Sequence, residues 1–334
     1  MACGPGIVTG RYGTIGELYY QEGEYWPLNT ALWVRNFFSN DPRFVYYLLS
    51  AFDFKKFSDK TGVPGVNRND LHAVQVLRPP LPEQRRIAEI LTTWDHAIET
   101  VEALIANARA QKAALARAFL TGQKRLRGFT GSWIDRSFAD LFDIKIGGTP
   151  SRNNPAFWDD EKQTSNLWAA ISDLKGKFLA DTREYISDAG VMGSNVKFLP
   201  AGTLIMSFKL SIGRRAILQN SAYTNEAICA LIPKNVGLLD PRFVYHALEL
   251  MDFSQSVDQA VKGQTLNKAK LSELRIRIPE LNEQASLTAM FETLDSEGLG
   301  LEGQLTALRQ EKSALMQQLL TGKRRVKIAE DVAA

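Results

Sequence analysis

Asp41-Pro42-Arg43-Phe44-Val45-Tyr46 recurs, letter for letter, as Asp240-Pro241-Arg242-Phe243-Val244-Tyr245. Working outward from these two blocks, the same order of features appears twice. Asp53-Phe54 returns as Asp252-Phe253, and Val66-Asn67-Arg68-x-x-Leu71 as Leu266-Asn267-Lys268-x-x-Leu271. Glu83-Gln84 returns as Glu283-Gln284, and Leu120-Thr121-Gly122 as Leu320-Thr321-Gly322. The offset drifts by only a few residues, so the order of elements is kept and only loops change length. Short periods mean solenoids. A period this long means two copies of a whole domain, each with its connector.

Each copy reads as strands, then helix, then a long helix. Gly6-Ile7-Val8, Gly16–Tyr20 and Ala31–Val34 are β-rich runs broken by glycine and by Asn29; Thr203–Phe208, Arg215–Leu218 and Ala227–Ile232 repeat them. Asp41 and Asp240 are good N-caps, and the following proline occupies the first helical position, where no N–H is needed. Prolines 79, 80, 82 and 279 lead into long helices near 83–120 and 283–320. Ile87, Leu91, Trp94, Ile98, Val101, Ile105, Ala108, Lys112, Leu115 and Phe119 follow strict 4,3 spacing. The second helix matches with Leu287, Phe291, Leu294, Gly298, Leu301, Leu305, Leu308, Lys312, Leu315 and Leu319. Such a seam predicts a coiled coil, with lysine at the same seam position in both copies to set register. From Ile87 to Phe119 the first helix is roughly 50 Å long at about 1.5 Å per residue. Gly298, Gly300 and Gly303 predict a kink or frayed turn in the second. Thr-Gly followed by Lys124-Arg125, or by Lys323-Arg324-Arg325, fits a helix C-terminus.

The chain has 334 residues, 45% of them apolar and 23% charged, enough for two ordinary cores. A net charge of +3 is too mild to demand a polyanionic partner, but basic residues can still be gathered on one face. Cys3 and Cys229 form no disulfide or metal pattern, and His72, His96 and His246 are scattered. A reducing compartment is the default. No apolar run spans a membrane and no signal peptide is read, so a cytoplasmic location is expected.

Gly147-Gly148-Thr149-Pro150-Ser151-Arg152 with Phe157-Trp158, the Pro80-x-x-Glu83-Gln84 helix start and the duplicated Leu-Thr-Gly helix end carry a resemblance. In order and duplicated, over essentially the whole chain, they resemble the DNA-specificity (S) subunit of type I restriction-modification systems. The resemblance implies a mixed α/β fold with two target-recognition domains joined by two long helices in an antiparallel coiled coil. It implies a non-catalytic subunit that directs methylation and restriction subunits to a bipartite target in double-stranded DNA. S-adenosylmethionine, ATP and Mg are then expected on those partners, with no cofactor on this chain. The boundaries read as 1–81 for part of a first recognition domain, 82–125 for the first long helix and 126–278 for the second domain. The second long helix is 279–325, and 326–334 is a tail. The first copy's counterpart of residues 132–197 would lie before Met1, so that copy reads as incomplete at its front. Weak or half-site DNA binding is expected of the chain alone, rescued by self-association or by a complementing N-terminal fragment.

Phosphates are held by cations, hydroxyls and backbone N–H groups, and base edges by Arg, Lys, Asn and Gln. The richest candidate is Lys262-Gly263-Gln264-Thr265-Leu266-Asn267-Lys268, with Gly62–Arg68 as its first-copy equivalent. For Asn67 and Asn267 helix capping is the plainer reading. The second candidate is Thr149, Ser151 and Arg152, where glycines 147 and 148 free backbone N–H groups to approach a phosphate. The third is Lys209, Arg214 and Arg215 around a hairpin, with Arg11 and Tyr12 as counterparts; packing of a half-buried Tyr12 is the plainer reading. Arg85, Arg86, Glu89, Glu99, Glu311 and Lys312 would offer partner subunits a charged helix face. Two other classes stay open. A coiled-coil scaffold explains the heptads but not the duplicated globular halves. A DNA methyltransferase-like enzyme rests on Asn154-Pro155-Ala156-Phe157, a near miss lacking the second proline and any glycine-rich motif for a methyl donor.

Overall fold

Both repeated Asp-Pro pairs start helices. The Asp41 carboxylate accepts the Phe44 N–H at 2.9 Å, and that of Asp240 accepts the Arg242 N–H at 2.8 Å. The structure is a computed structural model that describes residues 2–58, 65–253, 258–260 and 263–327, with the side chains of 258–260 and 263–265 outside the description. It divides into two compact units. Unit 1 takes residues 1–107 and 299–334; unit 2 takes 108–298. Each unit therefore includes part of each long helix.

In unit 1, β1 (Gly6–Gly10), β2 (Leu18–Gln21) and β3 (Ala31–Trp33) form an antiparallel sheet in the order β2-β1-β3. The helices α1 (Pro42–Ser50) and α2 (Arg68–His72) follow, then α3 (Leu81–Phe119) begins. Phe44 and Tyr47 of α1 pack on Ile87, Ala88 and Leu91 of α3 and on Leu319 and Leu320.

Unit 2 opens with β4 (Ile134–Ser137), α4 (Phe138–Leu141) and β5 (Phe142–Ile146). Then come β6 (Leu167–Ala169), β7 (Phe178–Leu179), β8 (Glu184–Tyr185) and α5 (Asp188–Met192). The strands that repeat unit 1 are β9 (Leu204–Ser207), β10 (Arg215–Leu218) and, after β11 (Ala222–Thr224), β12 (Ile228–Pro233). The chain continues through α6 (Pro241–Ala247), β13 (Asp258–Ala260), β14 (Gly263–Thr265), α7 (Lys268–Glu273), β15 (Arg275–Ile278) and α8 (Leu281–Leu320). The main sheet has the order β5-β12-β9-β10-β7, and β11-β6-β8 forms a smaller one. The central trio β12-β9-β10 matches β3-β1-β2 of unit 1, all antiparallel. Beyond it, β5 covers the outer edge of β12, and β4 pairs with β15. Phe138, Leu141, Phe142 and Ile144 from these added elements bury themselves against Leu204, Met206, Cys229, Leu231 and Leu271.

The long helices run antiparallel within each unit, as the ion pairs fix. In unit 1, Glu102 meets Arg309 at 2.5 Å and Asp95 meets Lys312. In unit 2, Lys112 meets Asp295 at 2.6 Å and Glu249 at 3.5 Å. The seam lysines thus each find an aspartate offset by the repeat. Burial opposes the charge on Lys112, but the two carboxylates outweigh it and hold its pKa above the usual lysine value. Every seam residue is buried or half-buried. Contrary to expectation, Gly298, Gly300 and Gly303 do not interrupt α8, which is helical from Leu281 to Leu320. A glycine keeps its own N–H and C=O for the helical ladder, and its penalty of ~1 kcal/mol is spread over a forty-residue element.

The repeated Glu-Gln has a structural use that spacing alone did not show. Gln84 is buried; its Oε1 accepts the Asp41 N–H at 2.9 Å and its Nε2 donates to Pro79 O at 2.8 Å. Gln284 does the same with Asp240 and Pro279, at 2.9 and 2.8 Å. Each amide clamps the helix start to the capping residue of the shorter helix. Glu83 and Glu283 bind Arg325 and Arg125 through both carboxylate oxygens. The Arg325 guanidinium holds the Glu83 carboxyl below its ordinary range despite its burial.

Candidate DNA interface

Unit 2 gathers several of the candidate cations on one edge. The chain from Phe208 to Arg214 makes a tight hairpin between β9 and β10, with Leu210 at φ 63 and Gly213 at φ 86. Ser207 Oγ closes it by donating to Ser211 O. Gly213 is needed for the positive φ and for closeness, since an added Cβ would fall 3.0 Å from Phe253 Cε2. Lys209 is half-buried, with its ammonium 5.3 Å from the Phe208 ring centroid. Arg214 is exposed and among the described residues its side chain has no partner. The Leu266 N–H donates to Phe208 O at 2.9 Å. That bond sets the start of α7 beside the hairpin, so exposed Lys268 joins Lys209 and Arg214.

Arg215 does not belong to this group. Its side chain is only 15% exposed, donates to Tyr245 O at 2.6 Å and lies 3.5 Å from Glu249. Burial lowers its pKa from the usual arginine value. The split falls at the end of the turn: Arg214 is the last hairpin residue, whereas Arg215 opens β10 and turns onto α6.

The glycine loop after β5 is also differently used than expected. Gly147 N–H donates to Ile228 O at 3.0 Å and Gly148 N–H to Thr224 O at 2.8 Å, so neither is free for a phosphate. The glycines are required because an added Cβ would come within 2.2 Å of Thr224 O at position 147 and of Asn195 Oδ1 at 148. Thr149 donates to Glu226. Ser151 is exposed, and its carbonyl accepts from Trp158 Nε1 at 3.2 Å. Arg152 is bidentate on Glu184, at 2.5 and 3.1 Å, and lies 3.6 Å over the Trp158 ring. Its charge is largely answered within the protein, and it in turn lowers the Glu184 pKa. The loop and the hairpin nevertheless flank the same turn, since Phe208 N–H donates to Ala227 O.

Asn267 and Asn67 cap helices: their Oδ1 atoms accept the Lys270 N–H at 2.9 Å and the Asn69 N–H at 3.0 Å. Gln264 and Thr265 lie on β14, opposite Gln259 and Asp258, with their side chains outside the description. Lys262, like residues 62–64 of the first-copy loop, lies outside the described residues.

Unit 1 repeats the layout. Val66 N–H donates to Arg11 O at 3.1 Å, the counterpart of the Leu266–Phe208 bond, and brings Asn67 and exposed Arg68 beside Arg11. Tyr12 is 41% exposed, packs over Gly65, and has the Arg11 guanidinium 5.3 Å from its ring centroid. Of the helix residues read as a partner face, Arg85, Glu99 and Glu311 are exposed, and Arg86 pairs with Glu89 at 2.6 Å. Lys312 leaves that group because it turns into the seam. Among the described residues no His/Cys/Asp/Glu cluster could hold a metal, and no helix is long and apolar enough to cross a membrane.

The duplicated sheet, helix and long-helix order now has a counterpart outside the chain. The model of the type I restriction modification DNA specificity domain matches residues 4–108 and 131–308. The chain belongs to that family. A family relative, the MjaVIII specificity subunit of Methanocaldococcus jannaschii, is 22% identical over 306 residues, covering 86% of this chain and 71% of the relative. The EcoR124I/EcoR124II specificity subunit of Escherichia coli is 27% identical over 160 residues, which is 45% of this chain and 38% of that protein. Among solved structures, a chain of a type I R-M system superposes with a TM-score of 0.64 at 17% identity, over 96% of this chain and 83% of that one. The S subunit from M. genitalium gives 0.61 at 15% identity, over 96% and 84%. These likenesses establish the mixed α/β fold with two family segments and long helices.

Proposed function

We propose that this chain is the DNA-reading, non-catalytic subunit of a type I restriction-modification assembly. One observation carries the reading: the Leu266–Phe208 bond sets Lys209, Arg214 and Lys268 on one edge of unit 2, the last two exposed and, among the described residues, none of the three in an ion pair. Three clustered cations beside a narrow hairpin suit phosphate contact along a groove, with the hairpin tip and β13-β14 available to base edges. Arg11 and Arg68 offer unit 1 a smaller version of the same footing. In this reading Thr149, Ser151 and Arg152 shape the edge through Glu226, Trp158 and Glu184 more than they bind. Methylation and restriction subunits would dock elsewhere, including on the exposed Arg85, Glu99 and Glu311 faces, and would bring S-adenosylmethionine, ATP and Mg with them.

The test is duplex binding by fluorescence anisotropy across a salt series. Each phosphate contact contributes about 0.9 to the slope of log affinity against log salt. Replacing Lys209, Arg214 and Lys268 together by Ala should flatten that slope by roughly 2 to 3 and weaken binding at low salt. An unchanged slope would remove the proposed edge. Methyl transfer or ATP hydrolysis by the purified chain without partners would overturn its non-catalytic role.

A further inference from the structure

The hairpin between β9 and β10 has a twin in unit 1. Met206 pairs with Arg215 as Thr9 pairs with Leu18, so the two hairpins have equal length. Leu266 N–H binds Phe208 O as Val66 N–H binds Arg11 O, so their residues correspond one to one. Gly213 answers to Gly16, both at φ 86. Leu210 answers to Gly13, at φ 63 and φ 72. The hairpin tip thus takes a left-handed backbone in both units. Unit 1 meets it with glycine, which adopts that conformation without steric penalty. Unit 2 meets it with leucine, whose Cβ crowds the following carbonyl oxygen there.

Neither the turn nor the core accounts for the leucine. The same turn is made in unit 1 with no side chain at this place, where an added Cβ on Gly13 would meet nothing within 4 Å. Leu210 is 59% exposed, whereas Ile212, two residues on, is half-buried and packs against the unit 2 core. The hairpin beneath it is held firmly. Ser207 N–H donates to Arg214 O at 2.7 Å, Gly213 N–H to Ser207 O at 2.9 Å, and Ser207 Oγ to Ser211 O. The apolar side chain therefore stands out from a fixed tip, flanked by Lys209 and by exposed Arg214. Backbone strain persists where the surrounding structure enforces it, and it gathers at binding sites. An apolar group among cations also has a narrow choice of ligand on DNA. The major groove admits a two-stranded ribbon, and its base edges are hydrogen-bonding groups except for the 5-methyl of thymine.

We propose that Leu210 is a specificity-determining residue, making apolar contact with a thymine 5-methyl group while Lys209, Arg214 and Lys268 hold the flanking phosphates. The inference rests on the DNA reading above and names what the hairpin tip reads. Unit 1, with Gly13 at the same place, offers no side chain for this contact, so the two tips differ in what they discriminate.

The test uses the full chain with a randomised duplex library, sequenced after capture, and anisotropy on the duplexes it selects. The wild type should enrich a motif with a thymine whose replacement by uracil, which lacks only the 5-methyl, weakens binding about fourfold, the contribution of one buried methyl-sized group. Leu210→Gly and Leu210→Asn both suit a left-handed backbone. Each should lose the preference at that position and ignore uracil. The rest of the motif and the salt slope should be kept, with the melting temperature unchanged or raised. A wild type that enriches no uracil-sensitive thymine, a motif that both variants keep, or a uracil effect that survives in them overturns the proposal. So does a melting temperature that falls by several degrees, which would make Leu210 a packing residue. A duplex bend that depends on Leu210 without any methyl dependence would make it a wedge between base steps and would overturn the proposal too. In each of those cases duplex is still bound and the DNA reading stands. A wild type that binds no duplex at any salt removes that reading and this proposal together.

Discussion

Replacing His246 by Phe should remove a large part of the acid sensitivity of unit 2. His246 is fully buried on α6, with its ring stacked 5.4 Å from that of Phe291. Lys177 Nζ lies 3.2 Å from Nε2, and among the described residues Nδ1 has no hydrogen-bond partner. Burial, and then the nearby charges of Lys177, Lys112 and Arg215, push the imidazole pKa from 6.5 down to about 3. The folded protein therefore keeps this ring neutral, while the unfolded chain protonates it below its ordinary value. Below that value the unfolded state binds more protons, so stability falls as pH falls, through the window between the two values. At about pH 5 the difference of roughly 1.5 pH units corresponds to about 2 kcal/mol. Phenylalanine keeps the stack on Phe291 and carries no proton. Urea unfolding of both proteins at about pH 7.5 and about pH 5 isolates this group, because all other titrations are common to both. The wild type should lose about 2 kcal/mol more than His246→Phe between the two conditions. Equal losses would refute the reasoning, as would a His246 ring resonance that titrates near its ordinary value in the folded protein.

Gly298→Ala, Gly300→Ala and Gly303→Ala should each stabilise α8 by about 1 kcal/mol, since an added Cβ meets nothing within 4 Å at any of them; a fall in melting temperature would contradict this. Gln284→Leu leaves the Asp240 N–H and two carbonyls without their partner and should cost about 3 kcal/mol in denaturant unfolding, with Gln84→Leu behaving alike in unit 1. Arg215→Ala should destabilise unit 2 by about 2 kcal/mol through loss of its bond to Tyr245 O, whereas Arg214→Ala should leave stability unchanged and weaken DNA binding; matched unfolding and anisotropy measurements separate them. Gly147→Ala should disrupt the turn at Thr224, read as reduced soluble yield or a lowered melting temperature, because the new methyl would fall 2.2 Å from Thr224 O.

Much of the architecture was legible because it rests on local chemistry. Asp41 and Asp240 announce helix starts by residue type, and the 4,3 spacing from Ile87 to Phe119 announces a buried seam that the helices display. The lysine at each seam position pointed to register, although its partners Asp95 and Asp295 lie one residue off the seam and escaped notice. The candidate interface was less legible. A cation in sequence carries no label for its neighbours: Arg214 and Arg215 read alike, yet one is exposed and the other holds Tyr245 O. Glycines 147 and 148 read as a phosphate cradle, but their N–H groups close the fold onto Ile228 and Thr224.

The amino-acid order alone determined the duplication, the strand runs, the capped helices and the paired long helices, because propensity, capping and periodicity act between residues close in sequence. Tertiary structure decided which cations are exposed and which are paired, which glycines are there for closeness, and that β5 covers the outer edge of β12. Those properties depend on residues brought together from distant parts of the chain, such as Phe208 with Leu266 and Gly147 with Thr224, and no local pattern records such meetings.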